Sequence, residues 1–264
     1  MDLGLTGKRA FVSGSTAGIG LAIASTLAAE GAHVTINGRT QARVDEALAT
    51  LKKAHPSAHV DGIAADLGTE AGAVAVLAKL PMLDIVVNNL GIFEPKPFLE
   101  IPDEDWRRFF DVNVLSGVRL ARAYLPGMLK QDWGRIVFIS SESALQIPAE
   151  MIHYGMTKTA QLAIARGIAE SVAGTGVTVN SVLPGPTSSE GVSDFVDSLA
   201  KNGGKSRDDV AADFFRDVRP SSLIKRFITV EEVASLVAWV CSTQASATTG
   251  ASMRVDGGVL RSIA

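Results

Sequence analysis

Residues 135–158 read R-I-V-F-I-S-S-E-S-A-L-Q-I-P-A-E-M-I-H-Y-G-M-T-K, and the fold follows from how they are read. Ile136 to Ile139 is a short apolar run with two isoleucines and a valine, bounded by Gly134 and Ser140. Such a run suits a strand buried on both faces, as a parallel sheet requires. A polar loop ends near Pro148, and helical spacing resumes at about Ile152 and continues through Ala160, Leu162 and Ile164. Tyr154 and Lys158 are then i and i+4, so their side chains rise from one face of that helix. Ser141 lies at the carboxyl end of the strand, where open α/β sheets place their ligands.

A tyrosine phenol titrates at about 10, too high for a good proton donor or acceptor at neutral pH. An ammonium beside it favours the phenolate, and a serine hydroxyl nearby can bind the same substrate oxygen. Taken alone, the trio reads equally well as a chance helical pair beside a serine that merely ends a strand.

The rest of the chain supplies the context. Its 264 residues suit one large α/β domain or two small ones, and 47% apolar with 20% charged residues is an ordinary globular balance. A formal net charge of −3 gives no sign of a nucleic-acid or anionic-membrane partner. The single cysteine, Cys241, excludes an intrachain disulfide framework and agrees with a reducing compartment. Its apolar neighbours mark it as a buried helix thiol. No basic-then-apolar leader follows Met1 and no uncharged apolar run reaches membrane-spanning length, so a cytoplasmic protein is expected.

Lys8 to Ser13 reads as a strand, followed at once by the turn Gly14 to Gly20 and a helix that stops at Gly31. Strand, glycine turn and helix aim helix-start amides at a phosphate. Gly14 permits the sharp turn, Gly18 lets backbone approach a pyrophosphate, and Gly20 lets helix and strand pack closely. Further strands are expected at Val34 to Asn37, Val60 to Ala64, Leu83 to Val87, Thr178 to Leu183 and Ser252 to Asp256. Helices are expected from about Thr40 to Lys53, from Pro102 to Lys130 around Asn113, and from the Thr229 N-cap to about Ser242. This alternation argues for a doubly wound parallel sheet. From 188 to 222 the pattern loosens into a glycine-containing excursion and a charged helix-like segment with Phe214 and Phe215, which reads as a lid or a surface excursion.

In sum these motifs resemble the short-chain dehydrogenase/reductase family in its short, single-domain branch. A glycine motif near the start, Asn88-Asn89-Leu90-Gly91 after the fourth strand, then Asn113, Ser141, Tyr154 and Lys158 follow in the family's order. The thirteen-residue step from Ser141 to Tyr154 and the four-residue step to Lys158 are its spacing. Pro184-Gly185 and Val255-Asp256-Gly257-Gly258 also match. Three departures stand out: Ser13 where threonine is usual, Leu90 where a small residue is usual, and Gly155-Met156-Thr157 inside the Tyr-Lys motif.

The resemblance implies a Rossmann-like sheet of about seven parallel strands with helices on both faces, formed by residues 1–264 as one domain with a lid at 188–222. It implies hydride transfer between a nicotinamide cofactor and a ketone or secondary alcohol. Tyr154 would be the general acid or base, Ser141 would hold the substrate oxygen, Lys158 would lower the tyrosine pKa and hold the nicotinamide ribose, and Asn113 would hold a relay water. Cofactor contacts are expected from Gly14, Ser15, Thr16, Gly18, Ile19 and Gly20, from Arg39, from Asp66 and Leu67, and from Asn89 and Gly91. Tyr154, Lys158, Pro184, Gly185 and Thr187 complete the expected set. A homotetramer is also implied.

The second strand ends in Asn37-Gly38-Arg39-Thr40, with glycine where an NAD site usually supplies an acid. Arg39 offers a planar fork for a 2′-phosphate, with Asn37 and Thr40 as neutral donors, so NADP(H) is preferred over a possible NAD(H). Ile92, Phe93, Ser143, Gln146, Ile147, Met151 and Pro186 outline a pocket for a medium-sized, mostly apolar carbonyl compound. His153 reads as a bystander. His33, His55 and His59 lack metal-ligand spacing, so no metal is expected. The rival reading is a non-catalytic dinucleotide-binding regulator or scaffold, and a third is a sugar-nucleotide epimerase or dehydratase, which usually carries a longer carboxyl-terminal substrate domain.

Overall fold

A computed structural model describes residues 2–190 and 206–263. Seven strands form one sheet: β1 (Arg9–Val12), β2 (His33–Gly38), β3 (Val60–Ala64), β4 (Ile85–Asn88), β5 (Gly134–Ile139), β6 (Val177–Pro184) and β7 (Ser252–Val255). Every pairing is parallel and the order is β3-β2-β1-β4-β5-β6-β7. All carboxyl ends therefore share one edge, and the winding reverses between β1 and β4, the crevice where such sheets bind ligands.

The two faces are legible residue by residue. Ala10, Val12, Ile85 and Val87 point into one cluster with Ile23 and Leu27 of α1 (Gly18–Ala29), Val44 and Leu51 of α2 (Gln41–Ala54), and Val233 and Val237 near the carboxyl terminus. Phe11, Val86, Ile136 and Phe138 point the other way, onto Val76 of α3 (Glu70–Lys79) and onto later helices through Leu120, Met128 and Ala165. Alternation of β-branched and aromatic residues thus buries both faces of the sheet.

The segment expected as one helix from Pro102 to Lys130 is α4 (Asp103–Phe110) and α5 (Ser116–Lys130), joined by a wide π turn over Asp111–Leu115. The turn inserts one extra residue per loop of backbone, and Asn113 sits in it; such bulges often mark functional positions. Helix α3, not singled out in the sequence, starts at the Thr69 cap. Helix α6 (Ile152–Ser171) carries the Tyr-Lys pair as expected. The lid expectation at 188–222 falls partly on residues 191–205, outside the described residues; beyond them lie α7 (Arg207–Asp213), begun by a Ser206–Asp209 capping box, and a second π turn over Phe214–Val218. Helix α8 (Val230–Cys241) starts at the Thr229–Glu232 capping box.

The edge opposite the site is held by a buried cation. Arg135, 2% exposed, donates through Nη1 to the carbonyls of Gly134 (2.8 Å) and Gly176 (3.0 Å) and through Nε to that of Ser242 (3.2 Å). Its guanidinium also lies 4.5 Å from the centre of the Trp133 ring. It thereby joins the starts of β5 and β6 to the end of α8. Arg135→Ala strands these carbonyls and opens a void, so we expect a loss of about 3 kcal/mol in urea unfolding. A loss below about 1 kcal/mol would show that the three bonds contribute little beyond their exchange with water.

Candidate active site

The glycine turn is held in place by polar clamps from the neighbouring strands. Asn89 donates through Nδ2 to the carbonyls of Ser13 (3.0 Å) and Gly14 (2.9 Å), while the Ser13 hydroxyl accepts from the amides of Asn89 (2.9 Å) and Leu90 (3.0 Å). Serine thus makes the contact expected of threonine. Leu90 turns its side chain onto the core and against Gly14 instead of crowding the surface. Gly14 has φ of 59° and Gly18 has φ of 55°, both in the left-handed region that favours glycine. A Cβ at Gly20 would lie 2.5 Å from Asn89 Nδ2 and 2.6 Å from the Gly14 carbonyl, which is the close packing expected there.

Ser15 is committed to the fold. Its hydroxyl donates to the Val12 carbonyl (2.6 Å) and accepts from the Asn37 amide (2.9 Å), and its own amide donates to the Asn37 carbonyl (2.8 Å). The Asn37 side chain is likewise spent, donating to the carbonyls of Ile63 and Ala65 and accepting from Gly14. It offers nothing to a phosphate, contrary to the expectation from sequence. The N-cap position of helix α1 is Ala17, whose side chain cannot cap, and the helix has no acid in its first turn. The amides around Gly18, Ile19 and Gly20 therefore suit an anion, so the residues present fit a dinucleotide pyrophosphate.

At the end of β2, a Cβ on Gly38 would fall 2.5 Å from Thr16 Cγ2, so Thr16 occupies the space an acid would need. Arg39 is exposed beside it. Thr40 is spent as the N-cap of α2. Arg43, which sequence reasoning missed, reaches from that first turn to Glu190 (3.2 Å). At the end of β3, Asp66 is exposed with one oxygen accepting from the Gly68 amide, and Leu67 is buried. After β6, Gly185 packs against the Asp256 backbone and Thr187 donates to the Gly185 carbonyl (2.8 Å).

Tyr154, Ser141, Lys158 and Asn113 converge above β4 and β5. Lys158 is buried and donates to the Ile139 carbonyl (2.8 Å), with its ammonium 5.6 Å from the centre of the Tyr154 ring. A Cβ at Gly91 would stand 3.5 Å from that nitrogen, in ordinary contact, which places Gly91 beside the amine. Burial takes the Lys158 amine down to about 8. Burial pushes the half-buried Tyr154 phenol up and Glu142 adds to the rise, while the Ser141 hydroxyl and Arg219 oppose it. In this structure the groups favouring the phenolate are therefore Ser141 and Arg219; the expected effect of Lys158 is not among them. Asn113 accepts from the Ile92 amide (2.7 Å) and donates to its carbonyl (2.9 Å) and to Thr157 Oγ1 (3.0 Å), fixing the strand-four loop to α6.

Three functional candidates escaped the sequence reading. Gln161 is buried, donates through Nε2 to the Asn113 carbonyl (2.6 Å) and accepts from Lys158 Nζ through Oε1 (3.4 Å). It lies one turn beyond Lys158 on the same face of α6, a spacing that could have drawn attention. Glu142 is buried beside Ser141, accepts its hydroxyl, and takes Arg219 Nε at 3.1 Å. No local spacing pointed to a pair 77 residues apart. Around them stand Phe93, edge-on to Tyr154 at 6.4 Å, and Ile147, against Gly155. Ser143 is buried, Met151 and Pro186 are half-buried, and Gln146 is exposed. A buried ion pair, Glu142 with Arg219, therefore stands next to Ser141.

His153 is buried against Phe109 (4.0 Å between ring centres) and Trp106 (6.0 Å), and burial lowers its pKa. It belongs to the α4–α6 packing and not to the site. Among the described residues no cluster of His, Cys, Asp or Glu could hold a metal ion.

Known proteins with this geometry are numerous. The family described as Enoyl-(Acyl carrier protein) reductase matches residues 14–260. The chain is 48% identical over 263 residues to the uncharacterized oxidoreductase YvaG of Bacillus subtilis, with both chains covered completely. It is 32% identical over 258 residues to the D-beta-hydroxybutyrate dehydrogenase of Cupriavidus necator, covering 96% of this chain and 98% of that one. Its structure matches that of the L-sorbose reductase from Gluconobacter frateurii, complexed with NADPH and L-sorbose, at a TM-score of 0.92, 32% identity and full coverage of both chains.

The Lys158 environment can be tested without any ligand. Gln161→Leu removes one of its acceptors, so the amine should titrate further below about 8 in an NMR titration of labelled lysine Nζ. Because the folded-state value already lies below the ordinary lysine value of about 10.4, this group opposes folding below pH 8, and stability rises as pH climbs from there. An unchanged titration in the variant would show that the 3.4 Å contact contributes nothing.

Proposed function

The chain belongs to the short-chain dehydrogenase/reductase family, and on that premise we propose that it is an NAD(P)-dependent oxidoreductase interconverting a ketone and a secondary alcohol, with Tyr154 as the acid-base group. The observation that carries the reading is the convergence of Tyr154, Ser141, Lys158 and Asn113 at the carboxyl edge of the sheet, beside an uncapped helix start. A nicotinamide dinucleotide held at the glycine turn supplies the hydride in reduction and accepts it in oxidation. Glycine-turn amides would hold its pyrophosphate, with Asp66, Leu67, Asn89, Gly91, Pro184, Gly185 and Thr187 as further contacts.

The protein's own residues then manage one proton. Hydride addition to a carbonyl builds negative charge on oxygen, which Ser141 stabilises and Tyr154 neutralises by donating its phenolic proton. In oxidation the phenolate withdraws that proton. The Lys158 ammonium would hold the ribose hydroxyls. The Asn113 carbonyl, with one lone pair on Gln161, keeps the other for a relay water.

Further parts of the reading rest on the family and on composition. Residues 1–264 act as one dinucleotide-binding and catalytic unit, with 188–222 as a substrate lid; hydrogen exchange that ligands leave unchanged there removes the lid. The protein is cytoplasmic, in keeping with the free, buried Cys241, and among the described residues no helix is long and apolar enough to cross a membrane. It assembles as a homotetramer, which a monomeric mass in light scattering would refute.

NADP(H) is the preferred cofactor. Thr16 fills the space of the acid that would repel a 2′-phosphate, and Arg39 and Arg43 both flank the start of α2. The L-sorbose reductase relative was solved with NADPH. Arg39→Ala should lower kcat/KM for NADPH by about tenfold or more and for NADH by less than about twofold, because each charge-assisted bond contributes about 1.5–3 kcal/mol. Equal losses with both cofactors would remove Arg39 from the phosphate site.

Tyr154→Phe should cut kcat by more than about a hundredfold, while fluorescence titration finds cofactor binding nearly unchanged. Retention of more than about a tenth of wild-type kcat, a barrier change under about 1.4 kcal/mol, would overturn the acid-base assignment.

A further inference from the structure

The hydroxyl of Ser141 has one proton, and in this structure that proton is directed at Glu142 Oε2, while the oxygen accepts from the Ser143 amide (3.1 Å). The other carboxylate oxygen, Oε1, is met by Arg219 Nε at 3.1 Å. Arg219 in turn donates to the Val218 carbonyl (3.1 Å) and has Glu150 at 3.7 Å. Both members of the Glu142–Arg219 pair are buried, with side chains 6% and 10% exposed. Each carboxylate oxygen thus has a donor, and one of those donors is the group that must turn away when a substrate arrives.

When a carbonyl compound sits against Ser141 and Tyr154, the serine proton moves to the substrate oxygen and Glu142 Oε2 loses its partner. A buried carboxylate oxygen left without a donor is costly, and the cost falls on the very complex that must react. A substrate that itself brings a donor to that place, on the carbon next to the carbonyl, restores the balance. The ion pair is also expensive to keep where it stands: an apolar pair of similar volume would often be neutral or stabilising. A carboxylate there works against the phenolate of Tyr154 as well.

We infer that Glu142, held by Arg219, is a substrate-recognition residue that accepts a hydroxyl on the carbon next to the reacting carbonyl, so that the substrates are α-hydroxyketones and the vicinal diols they become. This deepens the oxidoreductase reading above and rests on it. Hydride adds to the ketone carbon, the Tyr154 proton adds to its oxygen, and the neighbouring hydroxyl keeps its own proton while donating to Glu142.

The test compares ketones that differ by that hydroxyl alone: butanone with acetoin, and cyclohexanone with its adjacent-hydroxyl derivative, in wild type and in Glu142→Gln. Wild type should show kcat/KM at least about tenfold higher for each hydroxyketone, since leaving a buried acceptor unpaired costs about 1–3 kcal/mol. In Glu142→Gln, which keeps the shape and removes the charge, the ratio should fall at least about threefold. Wild-type ratios within about twofold of unity overturn the inference while leaving the oxidoreductase reading intact, and need no variant to fold. A Glu142→Gln enzyme that keeps the full wild-type ratio also overturns it. No turnover of any of the four ketones or their alcohols with either cofactor would bring down both readings.

Discussion

The side-chain amide of Asn89 makes two hydrogen bonds, to the carbonyls of Ser13 and Gly14, on which the site's geometry depends. They fasten the end of β4 to the end of β1 at the point where the sheet's winding reverses. With Ser13 accepting from Asn89 and Leu90 in return, the glycine turn is bound to its neighbour strand by side chain and backbone together. Gly20 then has to be glycine, because any Cβ would strike Asn89 and the Gly14 carbonyl. A turn tied down in this way offers its free helix-start amides at a fixed place, which is what an anion site needs.

The same economy of polar groups governs the reacting residues. Lys158 is buried and survives there because the Ile139 carbonyl, freed at the end of β5, accepts from it. Asn113 lies in a π turn, where the disturbed helix pairing leaves its carbonyl for Gln161. Gln161 therefore joins α5's approach to α6 and supports the ammonium at the same time. These buried polar groups are largely partnered, as cores require, yet their partners are backbone carbonyls at strand and helix irregularities and not the regular ladder.

That explains what the sequence could and could not disclose. Strand periods, the glycine turn and the i, i+4 pair are local patterns, and they placed all seven strands and the Ser141, Tyr154, Lys158 and Asn113 set in one chain order. Helix α3 was missed because its Glu70–Lys79 run of alanines and valines has no clear polar face. Asn37 was read as a phosphate donor from its position alone, but its amide is consumed inside the sheet by Ile63 and Ala65. Glu142 was not singled out from the sequence. Its meaning depends on Arg219, which only the folded chain brings to it.

Burial moves the two titrating members of the site in opposite directions, and this bears on which form waits for substrate. A desolvated amine loses its proton more readily, a desolvated phenol holds its proton more tightly, and Lys158 and Tyr154 show both effects in one pocket. Near neutral pH the pair thus rests as ammonium and neutral phenol, with Glu142 adding to the phenol's hold on its proton. A neutral phenol is the form that can give a proton to a developing alkoxide. Withdrawing a proton from an alcohol requires first making the phenolate against burial and against Glu142, with only Ser141 and Arg219 in its favour. The carboxylate therefore favours the proton-bearing phenol at rest, and by the same amount makes it a weaker donor.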